Sequence, residues 1–207
     1  MENNKLLFEL LRPRSVSELN LPPDVSRSLE RMEKSGSVMN MLFYGGPGIG
    51  KTSAARILGE DADVYEINGS SCYGDKSTLR SIENFASSMS LFVKPKICFI
   101  DEADYLTKEV QAGLRHTIEK FSATTRFILT ANDINKVTPA LQSRCAPICF
   151  DVAPMDRPVV VERMIARYEH RLSEFGYEYD STRLREIVSI YFPDLRNIAN
   201  HLQLSFG

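Results

Sequence analysis

The stretch Met41-Leu42-Phe43-Tyr44-Gly45-Gly46-Pro47-Gly48-Ile49-Gly50-Lys51-Thr52 decides the fold that this sequence predicts. Its first four residues form a short apolar run, which is typical of a buried β-strand. The next eight match the pattern G-x4-G-K-S/T, in which glycines let the backbone curl so that its N–H groups point at phosphate oxygens. A helical pattern over Lys51–Leu58 follows, and a helix N-terminus adds positive partial charge at that point. The stretch therefore predicts a phosphate-binding loop between a strand and a helix.

Two side chains of this loop have distinct expected roles. Lys51 would supply a positive charge to the β and γ phosphates of a nucleoside triphosphate, and the Thr52 hydroxyl would coordinate Mg²⁺. ATP and Mg²⁺ are the expected cofactors, and an ordinary glycine-rich turn is the alternative. The residues expected to surround the phosphates are Gly45, Gly46, Pro47, Gly48, Ile49, Gly50, Lys51, Thr52 and Ser53.

Short apolar runs alternate with helical patterns along the first three quarters of the chain. Because this alternation favours a parallel sheet with helices on both faces, the sequence predicts an α/β fold around a five-stranded parallel sheet. The expected strands are Met41–Tyr44, Val64–Ile67, Ile97–Ile100, Phe127–Thr130 and Ile148–Val152. The expected helices between them are Lys51–Leu58, Lys76–Ser90, Lys108–Phe121 and Pro139–Arg144.

The pattern changes after Asp151, where Ala153-Pro154 indicates a break. Only helical patterns follow, and Asp180 and Asp194 are expected helix N-caps. Three helices are too few for a large core of their own, so we expect a lid packed on the sheet. The expected lid helices are Met155–Phe175, Ser181–Tyr191 and Asp194–Leu204, which divides the chain into a nucleotide-binding domain (1–153) and a helical lid (154–207).

An acidic motif, Ile97-Cys98-Phe99-Ile100-Asp101-Glu102-Ala103-Asp104, supplies the second chemical signal. An apolar strand that ends in two carboxylates places acid at the edge where open α/β sheets bind ligands. Asp101 is the expected Mg²⁺ ligand, and Glu102 would polarise the attacking water. A solvated acidic loop is the alternative.

Three further polar residues are candidates for a hydrolytic site. Asn132 follows the apolar strand Leu129-Thr130-Ala131 and could hydrogen-bond the attacking water or the γ phosphate, although a turn residue is the alternative. Arg196 begins the last lid helix and could reach the γ phosphate, or it is a surface arginine. Arg144, in Ser143-Arg144-Cys145, could act in trans on a neighbouring subunit's nucleotide, or it is a solvated charge.

Composition excludes several classes of protein. The chain has 25 basic and 27 acidic side chains among 207 residues, so a nucleic-acid site must be a local patch. No apolar run approaches a membrane span, and the start lacks the features of a secretory signal. The cysteines Cys72, Cys98, Cys145 and Cys149 include no CxxC pair, which makes zinc improbable, and Cys98 lies in an apolar run. We expect a soluble, cytoplasmic protein (host cytoplasm if viral).

These motifs, in this order and spacing, resemble an AAA+ ATPase, and more narrowly the small subunits of replication factor C, which are sliding-clamp loaders. The acidic motif Asp101-Glu102-Ala103-Asp104 and Ser143-Arg144-Cys145 carry that narrowing, and the latter matches the family's arginine finger. Leu11-Arg12-Pro13 resembles the family's Tyr-Arg-Pro segment, which implies that Arg12 and Pro13 lie near the adenine, with Leu11 replacing the usual tyrosine. Asn68 matches the family's switch on the catalytic glutamate. Leu21-Pro22 and the Phe192–Arg196 segment look most like clamp loaders of tailed bacteriophages.

The resemblance implies an ATPase subunit of a clamp loader. Its expected partners are other AAA+ subunits, a sliding clamp and primer–template DNA, with no membrane. Such subunits carry a helical collar after the lid, so we expect a shortened chain or a natural short form. A helicase loader, a branch-migration motor and an ATP-gated scaffold remain alternatives. The implied DNA contacts, which would bind phosphate or are solvated helix starts, are Lys76, Thr78, Arg80, Thr107 and Lys108.

Overall fold

A computed structural model describes residues 7–71, 76–89 and 96–207 of the chain. Its five parallel strands lie in the order β2-β3-β4-β1-β5, which confirms the predicted sheet. The strands are β1 (Met41–Tyr44), β2 (Val64–Asn68), β3 (Lys96–Asp101), β4 (Thr125–Ala131) and β5 (Ala146–Cys149). Because β1 lies between β4 and β5, the loop that follows it opens at the strand ends between these two neighbours.

The prediction for the last strand was wrong in its bounds. β5 ends at Cys149 and not at Val152, because its partner β1 is only four residues long. The N–H of Phe150 still bonds to the Tyr44 carbonyl at 2.8 Å, but the chain then leaves the sheet. Asp151 is consequently a loop residue at the sheet edge and not part of a strand.

Nine α-helices occur within the described residues, two of them unpredicted. The unpredicted pair is α1 (Leu7–Leu10) and α2 (Pro23–Ser35), the latter starting at a proline and ending before Gly36. The other helices, whose predicted bounds differ by up to three residues, are α3 (Lys51–Leu58), α4 (Lys76–Ser87), α5 (Lys108–Lys120), α6 (Pro139–Gln142), α7 (Arg157–Glu174), α8 (Ser181–Tyr191) and α9 (Leu195–Phe206). Both predicted N-caps are confirmed, since Asp180 and Asp194 each accept two backbone N–H groups.

Two hydrophobic clusters cover the two faces of the sheet. Successive strand side chains point to opposite faces, so Phe43 and Phe99 pack with α2 and α3, whereas Leu42 and Cys98 pack with α4 and α5. Cys98 is fully buried, as predicted, and burial raises the pKa of its thiol above its usual range. Helices thus cover both faces of the sheet, and its polar side chains lie at the ends of the strands.

A third cluster holds the lid together and includes α1. Leu7, Leu10 and Leu11 pack among the buried side chains of α7, α8 and α9. The N–H of Leu7 bonds to Oε1 of Gln203 in the last helix at 2.5 Å. The first described residues therefore pack with the lid, and the chain crosses from lid to sheet between Arg12 and Leu19. No helix within the described ranges is long and apolar enough to cross a membrane.

Candidate functional site: a cleft between the sheet and the lid

The loop Gly45–Thr52 lies between β1 and α3, as predicted, and it is braced by two aspartates. Asp151, just past β5, accepts the Gly46 N–H at 2.9 Å. Asp194, the N-cap of α9, lies so close to Gly48 that a side chain there would clash with its carboxylate. The Gly48 carbonyl also accepts the N–H of Leu195 at 3.0 Å. The glycine is required by this close approach and by its φ of +74°.

Lys51 ties the loop to the neighbouring strand. Its buried ammonium donates to the carbonyls of Gly45 and Gly46 at 2.8 and 2.6 Å, and to Oδ1 of Asn132 at 2.9 Å. Burial lowers the pKa of Lys51, an effect that nearby carboxylates, Asp151 foremost, partly offset. The loop is thus joined to the residue that follows β4, and one point charge lies at the centre of the site.

The acidic motif lies directly beside the loop. The Thr52 hydroxyl is 3.1 Å from both oxygens of Asp101, so a hydroxyl and a carboxylate converge from two elements. Hard oxygen ligands of this kind suit Mg²⁺, which usually takes one or two protein ligands beside phosphates and water. The residues present therefore fit a magnesium ion at the predicted place.

Thr130 organises both acids, a role that the sequence reasoning missed. The hydroxyl of this buried residue of β4 donates to Oδ1 of Asp101 and accepts the N–H of Glu102 at 2.9 Å. The sequence signal that was available is its position in the chain. Thr130 lies two residues before Asn132, at the same ends of the parallel strands where Asp101 ends β3. Thr130 fixes the relation between the expected metal ligand and the expected base.

Glu102 has an unusual backbone. Its φ of +55° and ψ of +44° lie in the left-handed region, which costs a non-glycine residue conformational energy and is found most often at functional sites. The turn after β2 presses against it, because a side chain at Gly69 would overlap the Glu102 carbonyl. Asn68 pairs in register with Asp101, and its Oδ1 accepts from the N–H and hydroxyl of Ser70. Its role as a switch on Glu102 stays a prediction.

The lid and the loop enclose a cleft of about 430 Å³. It brings together predicted residues from the first segment, the loop, both strand ends and the lid. These lining residues are Arg12, Pro13, Pro47, Gly48, Ile49, Gly50, Lys51, Thr52, Ser53, Asp101, Glu102, Asn132 and Arg196. Residues that were not predicted also line it: Leu11, Arg56, Thr130, Arg167, Tyr168, Leu195 and Ala199. The cleft therefore joins every predicted nucleotide contact except Gly45 and Gly46, whose carbonyls Lys51 binds.

Arg144 lies outside the cleft lining. It follows α6 on the exposed side of the sheet domain, with 40% of its side chain accessible. Its Nε donates to Oε1 of Glu119 in α5 at 2.6 Å, and Nη1 donates to the Ser143 hydroxyl. Its action on a neighbouring subunit's nucleotide stays a prediction.

The predicted DNA contacts lie at two helix starts on the surface. Arg80 is exposed on α4, and Thr78, two residues earlier, is half-buried. Thr107 caps α5 by accepting the Val110 N–H, and Lys108 is exposed beside it. The backbone of Lys76 begins α4, but its side chain and Cys72 lie outside the described residues. Binding of DNA by these groups stays a prediction.

Known proteins share this sequence pattern. The model of the ATPase family associated with various cellular activities (AAA) matches residues 41–150. Replication factor C subunit 5 of Mus musculus is 33% identical and covers 96% of this chain. The replication factor C small subunit of Methanoculleus marisnigri is 36% identical and covers 97% of it. The chain spans only 60% and 63% of the length of these two relatives.

Solved structures share the fold. A structure of RuvB from Thermotoga maritima superimposes with a TM-score of 0.71 at 21% identity, covering 94% of this chain and 64% of that one. At this identity the likeness concerns the architecture alone. The family match covers the loop, both acids, Asn132 and Arg144, and family membership implies a nucleotide with a divalent metal. With a parallel sheet, a braced phosphate loop and this match over 41–150, the chain belongs to the AAA family of ATPases.

Proposed function

We propose that this chain is an ATPase subunit of a sliding-clamp loader, which couples ATP binding and hydrolysis to placing a clamp on primer–template DNA. The observation that carries the proposal is the cleft itself. It gathers Lys51, Asp101, Glu102 and Asn132 within one chain, while Arg144 faces outward. The similarity to replication factor C subunits over more than nine tenths of the chain supports the clamp-loading reading.

The chemistry follows from where each group lies. Lys51 and the loop N–H groups hold the phosphates, and the α9 N-terminus closes over Gly48. Thr52 and Asp101 hold Mg²⁺, which neutralises phosphate charge when bound. Glu102 orients and polarises the attacking water, and Thr130 keeps its backbone in register with Asp101.

The lid contributes Arg196, whose side chain lines the cleft from the start of α9. Within the described residues it forms no ion pair, so its positive charge is available to the γ phosphate. Because Asp194 caps the same helix and contacts Gly48, the position of Arg196 depends on the closure of the lid over the loop. Arg196 and Asn132 thus distinguish a triphosphate from a diphosphate. The division into a nucleotide-binding domain (1–153) and a lid (154–207) belongs to this proposal.

Arg144 completes the site of a neighbouring subunit in an oligomeric ring or spiral. An arginine supplied in trans stabilises the charge of the transition state. Such an assembly would also align the surface starts of α4 and α5 along one strand of DNA, where Arg80 and Lys108 would bind phosphates without reading sequence.

The decisive experiment is a steady-state ATPase assay on the chain with its partner subunits, with and without primed DNA and a sliding clamp. We expect turnover to rise when both are added. A pull-down of the clamp on primed DNA separates this function from that of another AAA+ machine. Stimulation by DNA with no clamp retained would contradict the clamp-loading role and leave the ATPase standing.

A further inference from the structure

The peptide group that joins Gly45 to Gly46 lies between two opposite charges. Its N–H donates to Oδ1 of Asp151 at 2.9 Å, and its carbonyl accepts from Nζ of Lys51 at 2.8 Å. The N–H and the carbonyl of a trans peptide point in opposite directions. The carboxylate and the ammonium therefore approach the same peptide from its two sides, and hydrogen bonds joined in this way polarise and strengthen one another.

Asp151 is placed at this peptide by the pairing of β5 with β1. The last bond between the two segments runs from the Phe150 N–H to the Tyr44 carbonyl, and Asp151 is the next residue of the chain. The Sγ atom of Cys149 lies 3.9 Å from its Oδ2. A side chain at Gly45 would come within 2.8 Å of its Oδ1. The carboxylate is thus exposed to solvent but closely packed against the start of the loop.

The second aspartate beside the loop has a different use. Oδ1 of Asp194 accepts the N–H groups of Arg196 and Asn197 and so caps α9. Its approach to Gly48 is a close packing contact. Within the described part of the chain, Asp151 is the one of these two aspartates that hydrogen-bonds an N–H of the loop.

The position of Lys51 depends on the same peptide. Its ammonium has three donors, and they meet the carbonyls of Gly45 and Gly46 and Oδ1 of Asn132. Because a peptide group is rigid and planar, the Gly45 carbonyl can turn away only if the Gly46 N–H turns with it. Asp151 holds that N–H and thereby the carbonyl. A long lysine side chain loses conformational entropy when it is fixed, so a fixed acceptor matters for its placement.

We propose that Asp151 is a positioning residue for phosphate binding, which holds Lys51 at the centre of the loop by fixing the Gly45–Gly46 peptide. The inference rests on the proposed function, in which Lys51 binds the phosphates of ATP. Asp151 then acts on the ligand in two opposite ways. Its acceptor oxygen favours binding through Lys51, and its negative charge opposes binding because it repels the phosphates.

Two variants separate the acceptor from the charge. D151N and D151A both remove the charge, but only the amide of D151N keeps an oxygen that accepts the Gly46 N–H. In calorimetric titrations of the full chain, we expect D151N to bind ATP about 3- to 10-fold more tightly than D151A, the usual net effect of one hydrogen bond. D156N and D156A are the matched controls, because the side chain of Asp156 makes no capping bond at the start of α7. These two should bind ATP equally.

A double-mutant cycle tests whether Asp151 acts through Lys51. When D151N and D151A are each combined with K51M, their affinities for ATP should become equal, since no ammonium remains for the peptide to hold. A difference of the same size in the K51M background would overturn the inference, because Asp151 would then support the loop without Lys51. Equal affinities of D151N and D151A in the presence of Lys51 would overturn it as well.

The same chains are compared without nucleotide by urea denaturation, which also shows that each variant is folded. The midpoint should be higher for D151N than for D151A, and this difference should shrink in the K51M background. A difference that K51M leaves unchanged would contradict the coupling. If the wild-type chain binds ATP but D151N and D151A do not differ, the inference fails alone. Absence of ATP binding by the wild-type chain would instead overturn the proposed function.

Discussion

In the proposed function the phosphate loop and the surface around Arg144 are two parts of one catalytic arrangement, yet their side chains are held very differently. The loop is held by several hydrogen bonds at once. The buried ammonium of Lys51 donates to the Gly45 carbonyl and to Asn132, and the exposed carboxylate of Asp151 accepts the Gly46 N–H. Among the residues that the structure describes, Arg144 has one ion-pair partner, Glu119, and both side chains are more than a third exposed. Buried polar contacts specify one geometry, whereas an exposed pair is weak and exchangeable. Under the proposed function, this difference fits a subunit that binds the nucleotide by itself and requires a neighbouring subunit for hydrolysis.

The largest expected effect separates the two regions directly. R144A should reduce ATP turnover of the assembled complex by about 10³-fold, because it removes a charge that acts on the transition state. The same variant should bind ATP normally as an isolated chain. R115A is the matched control, since Arg115 also approaches Glu119, at 3.9 Å. If isolated R144A lost ATP affinity as strongly as the complex loses turnover, the two regions would not have separate roles in binding and hydrolysis.

The next prediction addresses the acid inside the cleft. E102Q should slow turnover by about 10²-fold, since removal of a general base has effects of this size. ATP affinity should remain, because Lys51, Thr52 and Asp101 are untouched. Single-turnover hydrolysis and binding measured on the same preparation separate these outcomes. Normal turnover in the assembled complex would remove Glu102 from the mechanism.

A third substitution tests the phosphate side by itself. K51M should weaken ATP binding roughly 10- to 100-fold, the cost of losing charge-assisted hydrogen bonds. It should also loosen Asn132, which loses its buried partner. Calorimetric titration gives the affinity, with K34M on the exposed end of α2 as the control. An equal loss of affinity for ATP and ADP would place Lys51 at the β phosphate alone, and an unchanged affinity for both would remove Lys51 from the phosphate site.

The smallest effects compare one contact from each region by stability. D194A removes the N-cap of α9 and should lower the free energy of unfolding by about 1 kcal/mol. E119Q breaks an exposed ion pair and should leave unfolding unchanged within error. Urea denaturation followed by circular dichroism measures both. If E119Q lowered the free energy of unfolding more than D194A does, the surface around Arg144 would be the more firmly held region and the loop the weaker one.

Much of this site could be predicted because its residues follow strand ends. Gly45, Asp101 and Asn132 come directly after apolar runs, and parallel strands bring such positions to one edge. Asp151 was missed because the last strand was expected to continue through it, although it lies at the same edge. Helix α2 was missed because its apolar face is narrow, with Leu29 its one fully buried apolar side chain. Arg167 gave no sequence signal, since only the folded chain brings lid helix α7 to the wall of the cleft.

The packing of α1 with the lid has a mechanical consequence. The chain passes between the lid and the sheet domain twice, near Pro13 and near Pro154. A lid held by two chain crossings is more restricted than one on a single linker, because any displacement must be accommodated at both. Pro13 also lines the nucleotide cleft. Under the proposed function, a bound nucleotide would lie beside one of these two crossings, so that its presence would bear on the lid through the chain itself as well as through the side chains of the cleft.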